Sequence, residues 1–168
     1  MAKRFNLDKA LSNAARITVN KIITKAKTSA SRKVRETYYI KAKDLNKSMK
    51  IKRAGYTDKE ATLTVRGRRI QVYAFGARQT RTGVTVRIRR DRGRKLIRHA
   101  FIAAMPTGHT GAFQRKRKSR LPIREIYSLS PAQMFEYEGA KEINLLIERD
   151  GGKILQHEID YQMSKFKR

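Results

Sequence analysis

Cysteine is absent from the 168 residues, so disulfides and thiolate metal sites are excluded. Acidic residues are scarce. Fourteen Asp and Glu stand against forty-one Lys and Arg, a net charge of +27. Between residues 61 and 124 the one acid is Asp91, so paired carboxylates for hydrolysis have nowhere to assemble in mid-chain. No Gly-x-Ser-x-Gly element occurs. Gly76, Gly83 and Gly93 lie too far apart to cradle one phosphate. The histidines, His99, His109 and His157, fall on different predicted elements. A zinc or two-metal site needs three or four convergent ligands. His109, in Thr107-Gly108-His109-Thr110-Gly111, reads as a polar turn residue. The expectation is no enzyme, no cofactor and no metal. No stretch reaches the about 20 apolar residues of a membrane-crossing helix. The first residues, Met1-Ala2-Lys3-Arg4-Phe5, lack a secretory signal's apolar run. A protein made and used, or assembled, in a reducing cytoplasm without a membrane partner is expected.

What the chain does carry is positive charge, unevenly spread. From Leu129 onward six basic residues meet seven acidic ones, so that segment is −1 and the first 128 residues hold +28. Self-repulsion at this level calls for a neutraliser. Nucleic acid is the first choice and an acidic protein surface the second. Residues 78–98 contain Arg78, Arg81, Arg87, Arg89, Arg90, Arg92, Arg94, Lys95 and Arg98. A second run adds Arg115, Lys116, Arg117, Lys118 and Arg120. Such runs make salt-sensitive, sequence-independent contacts with phosphates. They are candidates to face DNA or an acidic partner, against the alternative of a solvated face. Aromatics near them are few: Tyr73, Phe75 and Phe113. That composition argues against a base-stacking reader of single strands.

The pattern predicts an α+β fold: a long N-terminal helix, a small, mostly antiparallel sheet, and a C-terminal helix or helices. Leu7 to Glu36 holds no Gly or Pro, and Leu7, Leu11, Ala14, Ala15, Thr18, Ile22 and Ala26 recur at helical spacing. Asn6 is a candidate cap and Asp8 favours the first turn. So long a helix exceeds what a small sheet covers, which favours packing on a sheet or a neighbouring subunit over a surface helix with solvated lysines. Lys41–Met49 reads as a short helix. Thr62–Val65 and Ile70–Ala74 alternate about Gly67-Arg68-Arg69 and read as a hairpin. Val84–Ile88 alternates cleanly. Phe101–Ala104 is continuously apolar, suited to a strand buried on both faces. Gly76, Gly83, Pro106, Gly108 and Pro122 mark turns, with positive φ expected at Gly76 or Gly83. Ser130-Pro131 starts a helix, in which Gly151-Gly152 implies either two helices or one weak joint. Residues 1–128 read as a basic core domain with its N-terminal helix, and 129–168 as a near-neutral helical extension.

The middle of the chain resembles the prophage minor tail protein Z family, a tail-completion or neck component of long-tailed bacteriophages. The matching pieces are Phe75-Gly76-Ala77-Arg78-Gln79-Thr80, Gly83-Val84-Thr85-Val86, Ala100-Phe101-Ile102-Ala103 with Met105-Pro106, Gly108-His109, and Arg120-Leu121-Pro122-Ile123. Their order and spacing are also similar. The resemblance brings no catalytic residues. It implies a structural protein of the virion tail or neck, assembled in the host cytoplasm. Its implied partners are copies of itself in a ring and tail terminator, tail tube or head–tail connector proteins. Double-stranded DNA would lie in the lumen. On the residues alone, a ribosomal-type RNA- or DNA-binding protein and a small nuclease or toxin remain open.

Overall fold

The structure, a computed structural model, describes residues 7–165. The proposed cap Asn6 lies outside them. Helix α1 spans Leu7–Thr37 and is followed by a short helix α2, Ala42–Lys47. Eight short strands come next: β1 Met49–Lys52, β2 Thr62–Val65, β3 Arg78–Thr80, β4 Gly83–Val86, β5 Lys95–Arg98, β6 Ala100–Ala104, β7 Thr110–Arg115 and β8 Ile123–Glu125. They form an antiparallel pair β1-β2 and two antiparallel three-stranded sheets, β3-β4-β5 and β6-β7-β8. The chain closes with α3 (Pro131–Met134), one π-helical turn (Phe135–Gly139) and α4 (Ala140–Ser164).

Helix α1 buries Ala10, Ala14, Thr18, Ile23, Ala26, Ala30, Ser31 and Val34. Most of these are small, which lets another backbone come close. That backbone is α4, running antiparallel: Lys21 pairs with Glu158, Ser29 Oγ donates to Glu142 Oε1 at 2.6 Å, and Ile22 lies beside Gly151. The packed face of the helix, expected to meet a sheet or a neighbouring subunit, meets the chain's own α4. Leu7 and Leu11, expected on the packed stripe, are exposed, and Ile23 rather than Ile22 is fully buried. The helical drift between 3.6 and a strict four-residue step accounts for the change of face.

Two clusters form the core. The larger joins Val34, Tyr38, Leu45, Met49, Phe75 and Met134, so it ties the end of α1 to α2, β1 and α3. The smaller, with Val72, Val84, Val86, Ala100 and Ala112, lies between the two three-stranded sheets. Val84 and Val86 point inward while Thr85 and Arg87 do not, as the alternation requires.

The hairpin expected from Thr62–Val65 and Ile70–Ala74 does not form. Strand β2 pairs with β1 (Met49↔Val65, Lys52↔Thr62) across a turn closed by Gly55 N–H to Asp58 O, 2.6 Å. Residues 70–72 instead bond to 126–129, and Val72–Phe75 winds into one 3₁₀ turn. Val72 and Phe75 are both buried, an i, i+3 pair that a strand would put on opposite faces. Gly76 ends that turn at φ 60°, ψ 46°. Strand β6 is present but only half-buried, with Ala104 exposed. Its apolar run reflects one packed face, not two.

Ser130 caps α3 through a reciprocal bond with Gln133. Helix α4 passes through Gly151-Gly152 without a break. Burial against α1 outweighs the propensity cost of the pair, about 2 kcal/mol. A Cβ at Gly152 meets nothing within 4 Å. Gly152→Ala is therefore expected to stabilise the protein by about 1 kcal/mol, read as a higher melting temperature; a lower one means the joint is not the plain helix described.

Gly83 begins β4 against β5, and a Cβ there would lie 2.1 Å from the Ile97 carbonyl oxygen. Backbone cannot step aside as a side-chain tip can. Gly83→Val is expected to cost about 2–3 kcal/mol. Gly93→Ala, whose Cβ has nothing within 4 Å, should melt like the parent. Equal melts for both variants would contradict the close β4–β5 approach.

Candidate nucleic-acid interface

The arginines between β4 and β5 are largely engaged in holding the fold. Arg89 makes a two-pronged ion pair with Asp91 (Nε–Oδ1 2.9 Å, Nη2–Oδ2 2.9 Å) and lies 3.6 Å from Glu138. Hydrogen bonding to Asp91 pushes the guanidinium pKa further up. The same bond holds the Asp91 carboxyl below the usual range. Arg89 also sits 5.4 Å over the buried Tyr38 ring. Arg90 donates Nε to the Arg35 carbonyl at 2.8 Å and covers Tyr39. Arg87 donates to the Arg90 carbonyl at 2.7 Å. Arg94 Nη2 bonds the carbonyls of Gly76 and Thr85. This run fastens the β4–β5 loop to the end of α1 and to the Gly76 turn. The sequence could not separate it from a phosphate-facing run, because both demand arginine.

The unengaged cations gather elsewhere. Arg81 at the β3–β4 tip and Arg98 at the end of β5 line a hollow of about 610 Å³ with His99 and Phe101. His99 also lines a second hollow, about 500 Å³, with Gln114, Arg115, Arg117 and Lys118. The two hollows meet at His99 and make one continuous basic surface. Among the described residues, the side chains of Arg81, Arg98, Arg117 and Lys118 make no hydrogen bond or ion pair. Lys116 and Arg120 are exposed on the same β7–β8 loop, and Arg78 is exposed on β3. Arg115 is the tethered member: Nη1 donates to the Arg120 carbonyl at 2.7 Å and the guanidinium lies 5.2 Å from the Phe101 ring. The loop closes by Lys116 N–H to the carbonyl of Pro122, whose peptide bond with Leu121 is cis. Arg92 lies apart from this surface. It lines a separate groove with Tyr38, Arg69, Lys95 and Tyr137.

His99 is the residue that sequence reasoning missed. It holds φ 59°, and its N–H bonds the Thr82 carbonyl at 3.1 Å, joining the β3–β4 tip to the β5–β6 junction. Histidine tolerates this left-handed conformation better than most residues, but nothing in the local sequence marks the position. Pro106 and Gly108 (φ 78°) form the β6–β7 turn, with Met105 N–H on the His109 carbonyl at 2.7 Å.

His109 is more than a turn residue. Its Nε2 lies 2.7 Å from Glu125 Oε1, and the Tyr127 hydroxyl donates to Glu125 Oε2 at 2.7 Å. That bond raises the Tyr127 pKa above its ordinary value. A Cβ on Gly111 would fall 2.5 Å from Glu125 Oε1, so the glycine makes room for the carboxylate. The trio clamps β8 onto the β6–β7 hairpin. Among the described residues no group of three or more His, Cys, Asp or Glu is placed to hold a metal. No described helix is long and apolar enough to cross a membrane.

A surface of long, unpaired cations over a sheet end, with the Phe101 ring already covered by Arg115, can grip phosphates without reading bases. No curated protein and no solved structure matches the chain. The family described as Prophage minor tail protein Z matches residues 5–168, nearly the whole length. The chain belongs to that family and is a structural minor tail component of a bacteriophage virion.

Proposed function

We propose that the protein completes the tail at its head-proximal end, as a ring of subunits around the DNA path where the tail joins the head. Its neighbours there are copies of itself and tail terminator, tail tube or head–tail connector proteins. Family membership across residues 5–168 supports the tail-end role. The ring is supported by apolar residues that α4 leaves exposed on both flanks of its buried seam: Leu145 and Tyr161 on one, Ile147 and Leu155 on the other. Electron microscopy of a phage with this gene disrupted is expected to show tails and filled heads unjoined. Joined, infectious particles would overturn the role.

The observation that carries the DNA-facing part of the reading is the unpaired set Arg81, Arg98, Arg117 and Lys118 around His99. Such cations bind duplex DNA by releasing counterions, whatever the sequence. Replacing all four by glutamate is expected to abolish duplex binding at physiological salt and leave the thermal melt unchanged. Removing a single one should lower the slope of log affinity against log salt by about 1. Reversing Arg87, Arg89 and Arg90 instead is expected to lower the melting temperature, because those side chains hold the β4–β5 loop. Undiminished DNA binding in the fourfold variant would place another surface against the nucleic acid.

A further inference from the structure

We infer that the cleft between α1 and α4 is a docking site for an acidic, apolar-anchored segment of a different virion protein. The cleft has a volume of about 670 Å³ and shares no lining residue with the His99 surface. Arg16, Lys21 and Lys25 enter it from α1, Lys153 from α4, and Arg53 from the end of β1. Arg53 is held there by its neighbour. Asn20 Nδ2 donates to the Ala54 carbonyl at 3.0 Å, and Ala54 N–H donates to Asn20 Oδ1 at 2.9 Å. This double bond fixes the start of the β1–β2 loop to α1, so the arginine is presented by a rigid support.

The charges in the cleft do not balance. Glu158 on its wall is 2% exposed and pairs with Lys21. Asp150 is the other nearby carboxylate. Its hydrogen bond with Arg149 holds it below the usual range, and Lys25 and Lys153 act in the same direction. Five cations therefore face two carboxylates, and one of those is already shared with Arg149. Arg16 adds a specific deficit. Its guanidinium stacks 4.2 Å from the Tyr56 ring centroid, yet its Nε is buried without an acceptor. A buried donor of this kind normally has a partner. The Nε itself is closed to an entering ligand, and Arg16 contributes to the cleft as a lining cation stacked on Tyr56.

The occupant follows from shape and charge together. The walls include the half-buried Ile17 and Ile154, which suit an aliphatic side chain between acids. A phosphate backbone would leave Ile17 and Ile154 unused, so an acidic peptide with an aliphatic side chain fits this lining better than a duplex does. A second copy of the chain is a poor source of a free acidic segment: each copy carries +27, and its most acidic stretch, residues 136–150, is folded into the π turn and α4. The partner is a different and acidic chain. Placing that partner in the virion rests on the tail assignment. The chemistry of the cleft does not.

Fluorescence anisotropy with a labelled peptide of repeated Glu-Glu-Leu triplets tests this at physiological salt. The parent protein is expected to bind it, and the double variant Arg53→Glu, Lys153→Glu to bind about tenfold more weakly. The charge-matched control Lys116→Glu, Lys118→Glu should change peptide binding little. Arg16→Met, which removes a cation lining the cleft, should weaken it as well. No binding by the parent overturns the inference. So do equal losses in the two double variants, which would mean general attraction between opposite charges. A duplex oligonucleotide that loses as much affinity in the cleft variant as the peptide does would make the cleft a nucleic-acid site, and would also overturn it. If the Lys116 and Lys118 variant binds duplex DNA as well as the parent, the DNA-facing assignment weakens while the docking cleft stands.

Discussion

The close approach of α4 to α1 is the contact on which the other parts depend. It is possible because the buried face of α1 is built largely from alanine, with Thr18 and Ser31. Larger residues there would hold the helices apart, since ridges and grooves set the interaxial distance. The same helix continues past α4 into the larger core, where Val34 and Tyr38 meet Leu45, Met49 and Phe75. One rigid rod thus spans both the helical pair and the root of the sheets. The turn at Phe135–Gly139 matches the two halves. Its π-helical geometry and the bare Gly139 let the Phe135 ring lie where a Cβ would come within 2.6 Å. That brings α4 onto α1 directly after α3 has packed on the core. Single π turns of this kind are common where a helix must shift its face.

Charge is the second constraint, and the fold sorts it. Arginine closes loops here because its planar fork can reach several carbonyls at once. Arg94 bonds Gly76 and Thr85, and Arg90 bonds Arg35. These guanidiniums keep their charge, but their direction is fixed by the backbone groups they serve. On the His99 surface, Arg81, Arg98, Arg117 and Lys118 have no such ties and can follow the position of a ligand. A basic sequence therefore contains two populations with different roles, one setting loop geometry and one available to a partner.

The long helices, the alternation at Val84 and Val86 and the cap at Ser130 were legible because each is a local pattern with a local cause. Pairing was less legible. Thr62–Val65 alternates as a strand should, but whether it joins Met49–Lys52 or Ile70–Ala74 depends on burial of Phe75, a contact made across the molecule. Gly67-Arg68-Arg69 has the length of a hairpin loop and none of its pairing. The apolar run Phe101–Ala104 named a strand correctly and its burial wrongly, because composition does not reveal how many layers will cover it. In the candidate site, the runs of arginine could be read from the sequence. Their division could not, since Arg89 and Arg98 differ only in what stands beside them: Asp91 and Glu138 in one case, open solvent in the other. The α1–α4 cleft was hidden for the same reason. Arg16 and Lys25 resemble the solvated side of a helix until Lys153 and Arg53 are brought opposite them.

The proposed assembly into a ring would place like charge beside like charge. At physiological salt the Debye length is about 8 Å, so cations on adjacent subunits repel strongly only where their surfaces nearly touch. A +27 chain can therefore tolerate close neighbours if the contact faces are the less basic ones. The described residues 129–165 are the less basic part, with seven acids against four bases, and α4 leaves Leu145, Ile147 and Leu155 exposed there. The residual repulsion between basic faces falls when an anion lies among them, so occupancy of the His99 surface and closure of a ring favour each other by ordinary linkage. On that reading the subunits gain little by associating before the anion arrives. Under the proposed function, joining tail to head would then be coupled to the arrival of DNA by charge alone.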